Sequence, residues 1–569
     1  MVRRGPDGVG LWISADNRVG LAHRRLSIID LSDAGAQPMT DADCQTIVTF
    51  NGEIYNYQAL RGELKAKGFR FRSTSDTEVL LHLYTDRGVE MVNALRGMYA
   101  FAIVDKRKNG MFLVRDPFGI KPLYYSDDGK TLRFASQVKA LIASGRVDSS
   151  PDPAGRAGFF LWGHVPEPFS MHRGVRALPA GAAMWIGGDG KRTLKLGRSI
   201  PDIYAGAEEA GANRDTRVNR EELRRLFLDS VQHHLVADVP VGVFLSAGLD
   251  STTLAALAAE LNGNLHTVTL GFDEFKGTEN DETNLAAAVA RQFGTNHKTV
   301  WVSRQDFESE YTRIFAAMDQ PSVDGVNSYF IAKAATEAGL KVALSGLGGD
   351  ELLGGYASFG EIPRLVSALS HLGRFPRIGR GFRRVAAQFL KRFTSPKYAG
   401  LLEYGGSYEG AYLLRRGLFM PWELTDIMDP DAARAGWDAL QPMLRLRETV
   451  GKIQNPYFKV SALEMCWYMR NQLLRDADWA SMAHSLEVRV PLVDWTLLTA
   501  LAPMLASSRR PTKRNMVATT SRPVPDAVVR RPKTGFAVPV QDWLLRRDPS
   551  RSGRGLRGWA REVAQHWNV

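Results

Sequence analysis

Cysteine is almost missing from this chain. Its 569 residues include only Cys44 and Cys466, far apart in sequence. That excludes a disulfide framework and a cysteine-based zinc site, and it suits a reducing cytoplasm. No apolar run approaches the ~20 residues of a membrane span. The first residues, MVRRGPDG, have no apolar signal core. The sequence also lacks internal repeats, low-complexity tracts and any recognition motif for DNA or RNA. The net charge of +12 therefore reads as a general basic surface. Its basic residues are dispersed apart from a run through Arg509, Arg510, Lys513 and Arg514 and the arginines after Arg546.

What is present is ordinary for a soluble globular protein: 44% apolar and 24% charged residues, in a chain long enough for two or three cores. Residues 1–150 read as β-rich, with strand-like runs at Val19–Leu21, Thr46–Phe50, Tyr99–Val104, Met111–Val114 and Leu132–Ala135. Helices are expected over Glu53–Gly68 and Asp76–Arg87, so stacked sheets covered by helices are favoured over a Rossmann domain. A hairpin-like segment near Ala182–Leu196 is followed by a polar stretch, Tyr204–Asn219, read as a linker. Beyond Arg220, helices (Glu221–Leu235, Glu282–Phe293, Ser328–Ala338) alternate with apolar strands (Val241–Leu245, His266–Gly271, Thr299–Val302, Lys341–Leu344). That alternation predicts a parallel α/β sheet. After Tyr356 the pattern is mainly helical.

Two Gly-bearing turns stand out. Ser246-Ala247-Gly248-Leu249-Asp250-Ser251 lies between a strand and a helix, where small residues let backbone N–H groups approach a polyanion. It is not a Walker A loop, because the lysine is absent. Taken alone, it also reads as a tight strand-to-helix turn without a ligand. The second turn, Ser345-Gly346-Leu347-Gly348-Gly349-Asp350-Glu351, again comes after a strand, and paired carboxylates can hold Mg²⁺ through hard oxygen ligands. Glycine-rich turns at the carboxyl ends of parallel strands are where such sheets bind ligands. Further along come Ser485-Leu486-Glu487-Val488-Arg489-Val490-Pro491 with Asp494, and Arg531-Pro532-Lys533-Thr534-Gly535-Phe536. Singly, Arg489 and Lys533 read as surface salt bridges.

The first turn resembles the SGGxDS pyrophosphate loop of N-type ATP pyrophosphatases, and the four blocks in order resemble the synthetase domain of glutamine-hydrolysing asparagine synthetases. The first half extends the likeness. Arg4–Gly8, His23–Ile28, Asn51–Asn56, Ser75–Glu78 and Arg115–Tyr125 resemble class II glutamine amidotransferase motifs. The resemblance implies an Ntn-type αββα glutaminase domain over residues 1–205. It also implies an adenine-nucleotide α-hydrolase-like parallel α/β synthetase domain over 216–569, with a helical C-terminal part. It implies ATP and Mg²⁺, with Asp250, Asp350, Glu351 and Lys533 catalytic. ATP and pyrophosphate would meet Leu245, Ser246, Gly248, Asp250, Ser251, Leu270, Ser345, Gly346 and Lys533, and Mg²⁺ would meet Asp250 and Asp350. Glutamine would meet Arg25 through its carboxylate, Glu53 and Asp76 through its ammonium group, and Asn51 and Gly52 in the oxyanion hole. Small molecules, not nucleic acid or membrane, are the expected partners, and a homodimer is the expected assembly.

Two positions depart from that pattern. Family members start with a nucleophilic cysteine after Met, whereas Val2 stands after Met1 here and the RGPDG motif begins almost at once. The start therefore reads as truncated, by a wrongly chosen start codon or a clipped chain, with a naturally glutaminase-dead enzyme as the rival explanation. Leu347 stands where many asparagine synthetases carry an acidic residue, and an apolar side chain cannot transfer protons. The expected activity is ATP-dependent amidation of a carboxylate, aspartate first, with ammonia as nitrogen source for this chain. The rivals are amidation of another acid (a uronate or secondary-metabolite carboxylate) and a non-catalytic scaffold.

Overall fold

The computed structural model describes residues 1–211, 219–371, 379–384, 396–532, 539, 543 and 555–567. In the first half the strands are β1 (Gly8–Ile13), β2 (Gly20–Arg25), β3 (Met39–Thr40), β4 (Thr46–Ile54), β5 (Gly97–Asp105), β6 (Gly110–Arg115), β7 (Tyr124–Asp127), β8 (Leu132–Ala135), β9 (Arg176–Ala177), β10 (Ala182–Gly187) and β11 (Arg192–Leu196). They form an antiparallel ribbon β1-β2, a six-stranded sheet in the order β11-β10-β6-β5-β4-β3, and a three-stranded sheet β8-β7-β9. Alternating side chains split the six-stranded sheet into two faces. One face, with Val48, Phe50 and Ile54, packs under the helices Tyr57–Ala66 and Asp76–Arg87. The other, with Ile47, Ala102 and Leu113, meets Leu21 of the ribbon and Leu123.

The helix Asp76–Arg87 falls where the sequence puts it, whereas the helix expected from Glu53 starts only at Tyr57. Pairing with β5 continues through Asn51–Ile54 and holds the NGEI motif in a strand. Strand β1 is not foreseen. Its Val9, Leu11 and Ile13 are exposed at 76%, 70% and 53%, so its apolar alternation faces outward.

The stretch read as a linker begins instead inside a helix, Ile200–Gly211. Tyr204, on that helix, is fully buried, stacks on Phe458 with ring centroids 4.3 Å apart, and reaches Ser461 at 2.7 Å. Ser461 Oγ already donates to the Glu351 carbonyl at 2.8 Å, so the Tyr204 hydroxyl is the donor in this pair.

The second half is built on five parallel strands in the order β14-β13-β12-β15-β16. They are β12 (Val241–Phe244), β13 (His266–Phe272), β14 (Asn296–Val302), β15 (Val342–Leu344) and β16 (Glu487–Arg489). From β12 the sheet grows one way to β13 and β14 and the other way to β15 and β16. The reversal creates a crevice between the carboxyl ends of β12 and β15, where an open α/β sheet binds its ligand. The helix Leu249–Leu261 leaves β12, and the short helix Gly349–Leu353 leaves β15. The segment Glu464–Leu474 is π-helical, an uncommon winding with an extra residue per turn.

Replacing Tyr204 by Phe is expected to cost about 1 kcal/mol, the value of one buried neutral hydrogen bond. Tyr204→Ala should cost about 3–5 kcal/mol by emptying the stacking site. Denaturant midpoints of both variants measure this, and equal midpoints would show that the helix is not held by Tyr204.

Candidate functional site

The crevice is a cavity of about 510 Å³. Every described member of the ATP set expected from sequence lines it: Leu245, Ser246, Gly248, Asp250, Ser251, Leu270, Ser345 and Gly346. Local bonding explains the shape of the first turn. Ser246 Oγ and Ser251 Oγ lie 2.8 Å apart, and the Ser246 and Gly248 N–H groups donate to Ser251 Oγ and Ser246 Oγ at 3.2 Å each. This closes a small ring ahead of the helix Leu249–Leu261, whose positive end opens toward the cavity. Thr269 Oγ1 donates to the Leu245 carbonyl at 2.5 Å and pins the strand end.

The second turn is held from the neighbouring strand, where the Ser345 N–H donates to the Arg489 carbonyl at 2.8 Å. A Cβ at Gly349 would sit 2.6 Å from Asp250 Cγ, so only glycine lets the two turns approach so closely. That approach brings Asp250 and Asp350 together on the ammonium group of Lys513. The Lys513 Nζ to Asp250 Oδ2 distance is 2.5 Å, and Asp350 Oδ1 is closer still. Burial alone would lower the Lys513 pKa, but the Asp250 and Asp350 charges outweigh it and raise it. Lys513 belongs to a basic run that reads as surface in the sequence. Its cue is the capped start of the helix Lys513–Val517, where Thr512 and Asn515 form a capping box.

Glu351 does not join this group. It is 1% exposed, does not line the cavity, and its Oε1 accepts from the Tyr356 hydroxyl at 2.8 Å. Successive residues on a helix point about 100° apart, so Asp350 and Glu351 face different ways. Burial first, and the Asp350 charge second, push Glu351 up to about 7. The expected partnership of Glu351 with a metal is therefore replaced by an inward hydrogen bond. Leu347 does line the cavity, leaving an apolar wall at that loop position. Lys533 lies outside the described residues.

Arg489 is not a surface cation, being 0% exposed. It donates to Glu487 at 2.9 Å and to the His234 and Val236 carbonyls at 2.9 and 2.6 Å, and it lies 3.5 Å from Glu53.

Arg25, Asn51, Gly52, Glu53 and Asp76 gather around a second, smaller cavity of about 70 Å³, which Lys121, Met482 and Glu487 also line. The Arg25 Nη groups donate to the Ser32 and Ile29 carbonyls at 2.8 and 3.3 Å and to that of Asp30, fixing the side chain along the wall. Asn51 Nδ2 donates to Ser136 at 3.3 Å. The Ile54 N–H donates to Asp76 Oδ2 at 3.0 Å. Burial raises Asp76 to about 6, and burial together with the Glu487 charge raises Glu53. Neither cysteine lines this cavity: Cys44 is exposed in a turn, and burial raises the Cys466 thiol pKa.

Among the described residues no helix is long and apolar enough to cross a membrane, and no group of three metal-ligating side chains forms. Residues 1–195 match a glutamine amidotransferase domain, and residues 222–566 match asparagine synthase. Asparagine synthetase [glutamine-hydrolyzing] 1 of Bacillus subtilis is 32% identical over 99% of this chain and 85% of its own length. Asparagine synthetase [glutamine-hydrolyzing] 3 of the same organism is 31% identical over 87% of this chain and 75% of its own length. Asparagine synthetase B of Escherichia coli is 32% identical over 64% of this chain and 61% of its own length. The chain therefore belongs to the asparagine synthase family of carbon–nitrogen ligases, with a glutamine amidotransferase domain ahead of the synthase domain.

Proposed function

We propose that the synthase half amidates aspartate through an acyl-adenylate, with ATP in the cavity between β12 and β15. The observation that carries this reading is the convergence of Asp250 and Asp350, from two separate turns, on one cationic point. The Ser246–Ser251 turn offers backbone N–H groups and the amino end of a helix to the pyrophosphate part of ATP. Two carboxylates with room for phosphate oxygens suit a magnesium ion, which Asp250 and Asp350 would hold and which would neutralise phosphate charge when bound. In this reading Lys513 then turns its ammonium group to the phosphates, joined by Lys533. An aspartate carboxylate oxygen attacks the α-phosphorus and pyrophosphate leaves. Ammonia next attacks the acyl carbon, AMP leaves, and the nitrogen sheds a proton to solvent. Leu347 keeps one wall dry, which protects the activated acid from hydrolysis.

In the amidotransferase half we assign Arg25 to the carboxylate of glutamine, Glu53 and Asp76 to its ammonium group, and Asn51 and Gly52 to the amide oxygen. Because no cysteine lines that cavity, the 569-residue chain is read as drawing on free ammonia.

Substrate-dependent pyrophosphate release tests the assignment. Asp250→Asn, Lys513→Ala and Lys533→Ala should each lower it by about 10²-fold or more, the scale of losing a charge aimed at a reacting group. Near-normal release from any variant would remove that residue from the site. With ammonium chloride the chain should form the amide, and with glutamine alone it should release no glutamate; efficient glutamate formation would overturn the ammonia reading. Glutamine binding should also titrate. Asp76 holds an ammonium group only when ionised, so affinity is full above about pH 6 and falls as pH drops through that value. Calorimetry from pH 5 to 8 should show this for the native chain and a flat, weaker profile for Asp76→Asn.

A further inference from the structure

The longest stretch of the chain without a carboxylate side chain runs from residue 362 to residue 402. It holds nine Lys and Arg, a charge of +9 against +12 for all 569 residues. We propose that the face built from the described part of this stretch docks the protein on an anionic lipid surface, as a peripheral contact and not as a span. The proposal stands apart from the amidation reading.

Two elements carry the face. The helix Ser358–Leu369 brings Arg364, which is exposed, and residues 379–384 bring Arg380, Phe382 and Arg384. Both sit on one block, residues 401–405. A Cβ at Gly379 would lie 2.7 Å from Glu403 Cα, and one at Gly405 would lie 2.7 Å from Leu369 Cδ1. Arg383 fixes the underside: it donates to Glu403 at 2.6 Å and covers the Trp422 ring at 4.6 Å. With Arg383 turned in, Arg380, Phe382 and Arg384 are left outside, Phe382 at 45% exposure. Tyr398, on the turn just before the block, adds a second aromatic side chain at 53% exposure.

The charge on this face is what local pairing leaves over. Glu403 is shared between Arg383 and, at 3.7 Å, Arg380, while Glu361 pairs with Arg415 at 2.9 Å. Arg364 and Arg384 form no ion pair with a described side chain. Lys397 turns inward, to a cavity of about 550 Å³ beside the ATP cavity that Trp467, Tyr468 and Gln472 also line, and stays outside this surface. A cationic face without free carboxylates attracts anionic headgroups, at about fivefold in affinity for each Lys or Arg near the surface. Exposed aromatic side chains among those charges suit the boundary between headgroups and acyl chains. Nucleic acid fits less well. Residues 362–402 include no Asn and one Gln, the side chains that read adenine edges. Apolar residues instead recur between the arginines at steps of three and four, at Ile378, Phe382, Val385 and Phe389, the spacing of a basic amphipathic segment. Of these four, Phe382 is among the described residues.

Cosedimentation of the 569-residue chain with lipid vesicles tests the proposal. The chain should pellet with vesicles of phosphatidylcholine and phosphatidylglycerol and stay in solution with phosphatidylcholine alone. Raising the salt from about 0.1 M to about 1 M should release it. A triple variant, Arg364→Gln with Arg380→Gln and Arg384→Gln, should bind the anionic vesicles about 10²-fold more weakly, at about fivefold per charge. Phe382→Ser should weaken binding about tenfold through lost apolar area and leave the salt dependence as it is. None of these residues lines the ATP cavity, so pyrophosphate release in solution and thermal midpoints should match the native chain. Equal pelleting with both vesicle types, pelleting with neither, or undiminished binding by the triple variant would overturn the proposal. RNA or duplex DNA bound as tightly as the anionic vesicles, and lost in the triple variant, would overturn it in favour of a nucleic-acid partner.

Discussion

Everything in this molecule turns on a guanidinium group with no access to water. Arg489 lies on β16, at the edge of the parallel sheet, where the two halves of the chain meet. A buried charge is tolerable only when partners surround it, and leaving one without them costs about 3–5 kcal/mol. The partners come from everywhere: Glu487 on its own strand, Glu53 from the amidotransferase half, and the carbonyls of His234 and Val236. Lys121 completes the cluster at 3.2 Å from Glu487. The backbone carbonyl of Arg489 also holds Ser345, the first residue of the second ATP turn. Desolvation of one side chain thereby ties the wall of one cavity to the floor of the other.

The parallel sheet and its two turns were legible in the sequence because their causes are local. An apolar strand followed by small and hydroxyl residues leaves few structures open, and both turns fall where the strands end. The alternation of helix and strand also locates four of the five parallel strands within a few residues. The fifth, β16, is three residues long, too short for any period to register. Lys513 escaped for another reason: it meets Asp250 across 263 residues of chain, and nothing local marks such a contact. Glu351 misled in the opposite way. Beside Asp350 it looks like the second half of a carboxylate pair, yet one step along a helix turned it into the protein. Tyr204 shows that a polar, Gly-bearing stretch can still be a packed helix when one aromatic anchors it.

Charge is used here mostly in private. Arg4 is bound to Asp478 at 2.6 Å, Arg115 to Glu167 at 2.8 Å and Arg96 to Asp494 at 2.8 Å, all with little exposure. A chain that is strongly basic on paper thus commits many of its arginines to joints between segments distant in sequence.

The π-helical winding of Glu464–Leu474 has a consequence for how this gene can change. The segment presents Trp467, Tyr468 and Gln472 to one cavity and Leu473 to the other, each facing set by the extra residue per turn. A segment wound this way can lose one codon and settle to ordinary pitch, because the wide turn absorbs its extra residue without rotating the helix on either side. The backbone would remain hydrogen-bonded, and residues beyond the lost position would keep their facing. The change would be felt at the wide turn itself, where Trp467, Tyr468, Gln472 and Leu473 reach the two cavities.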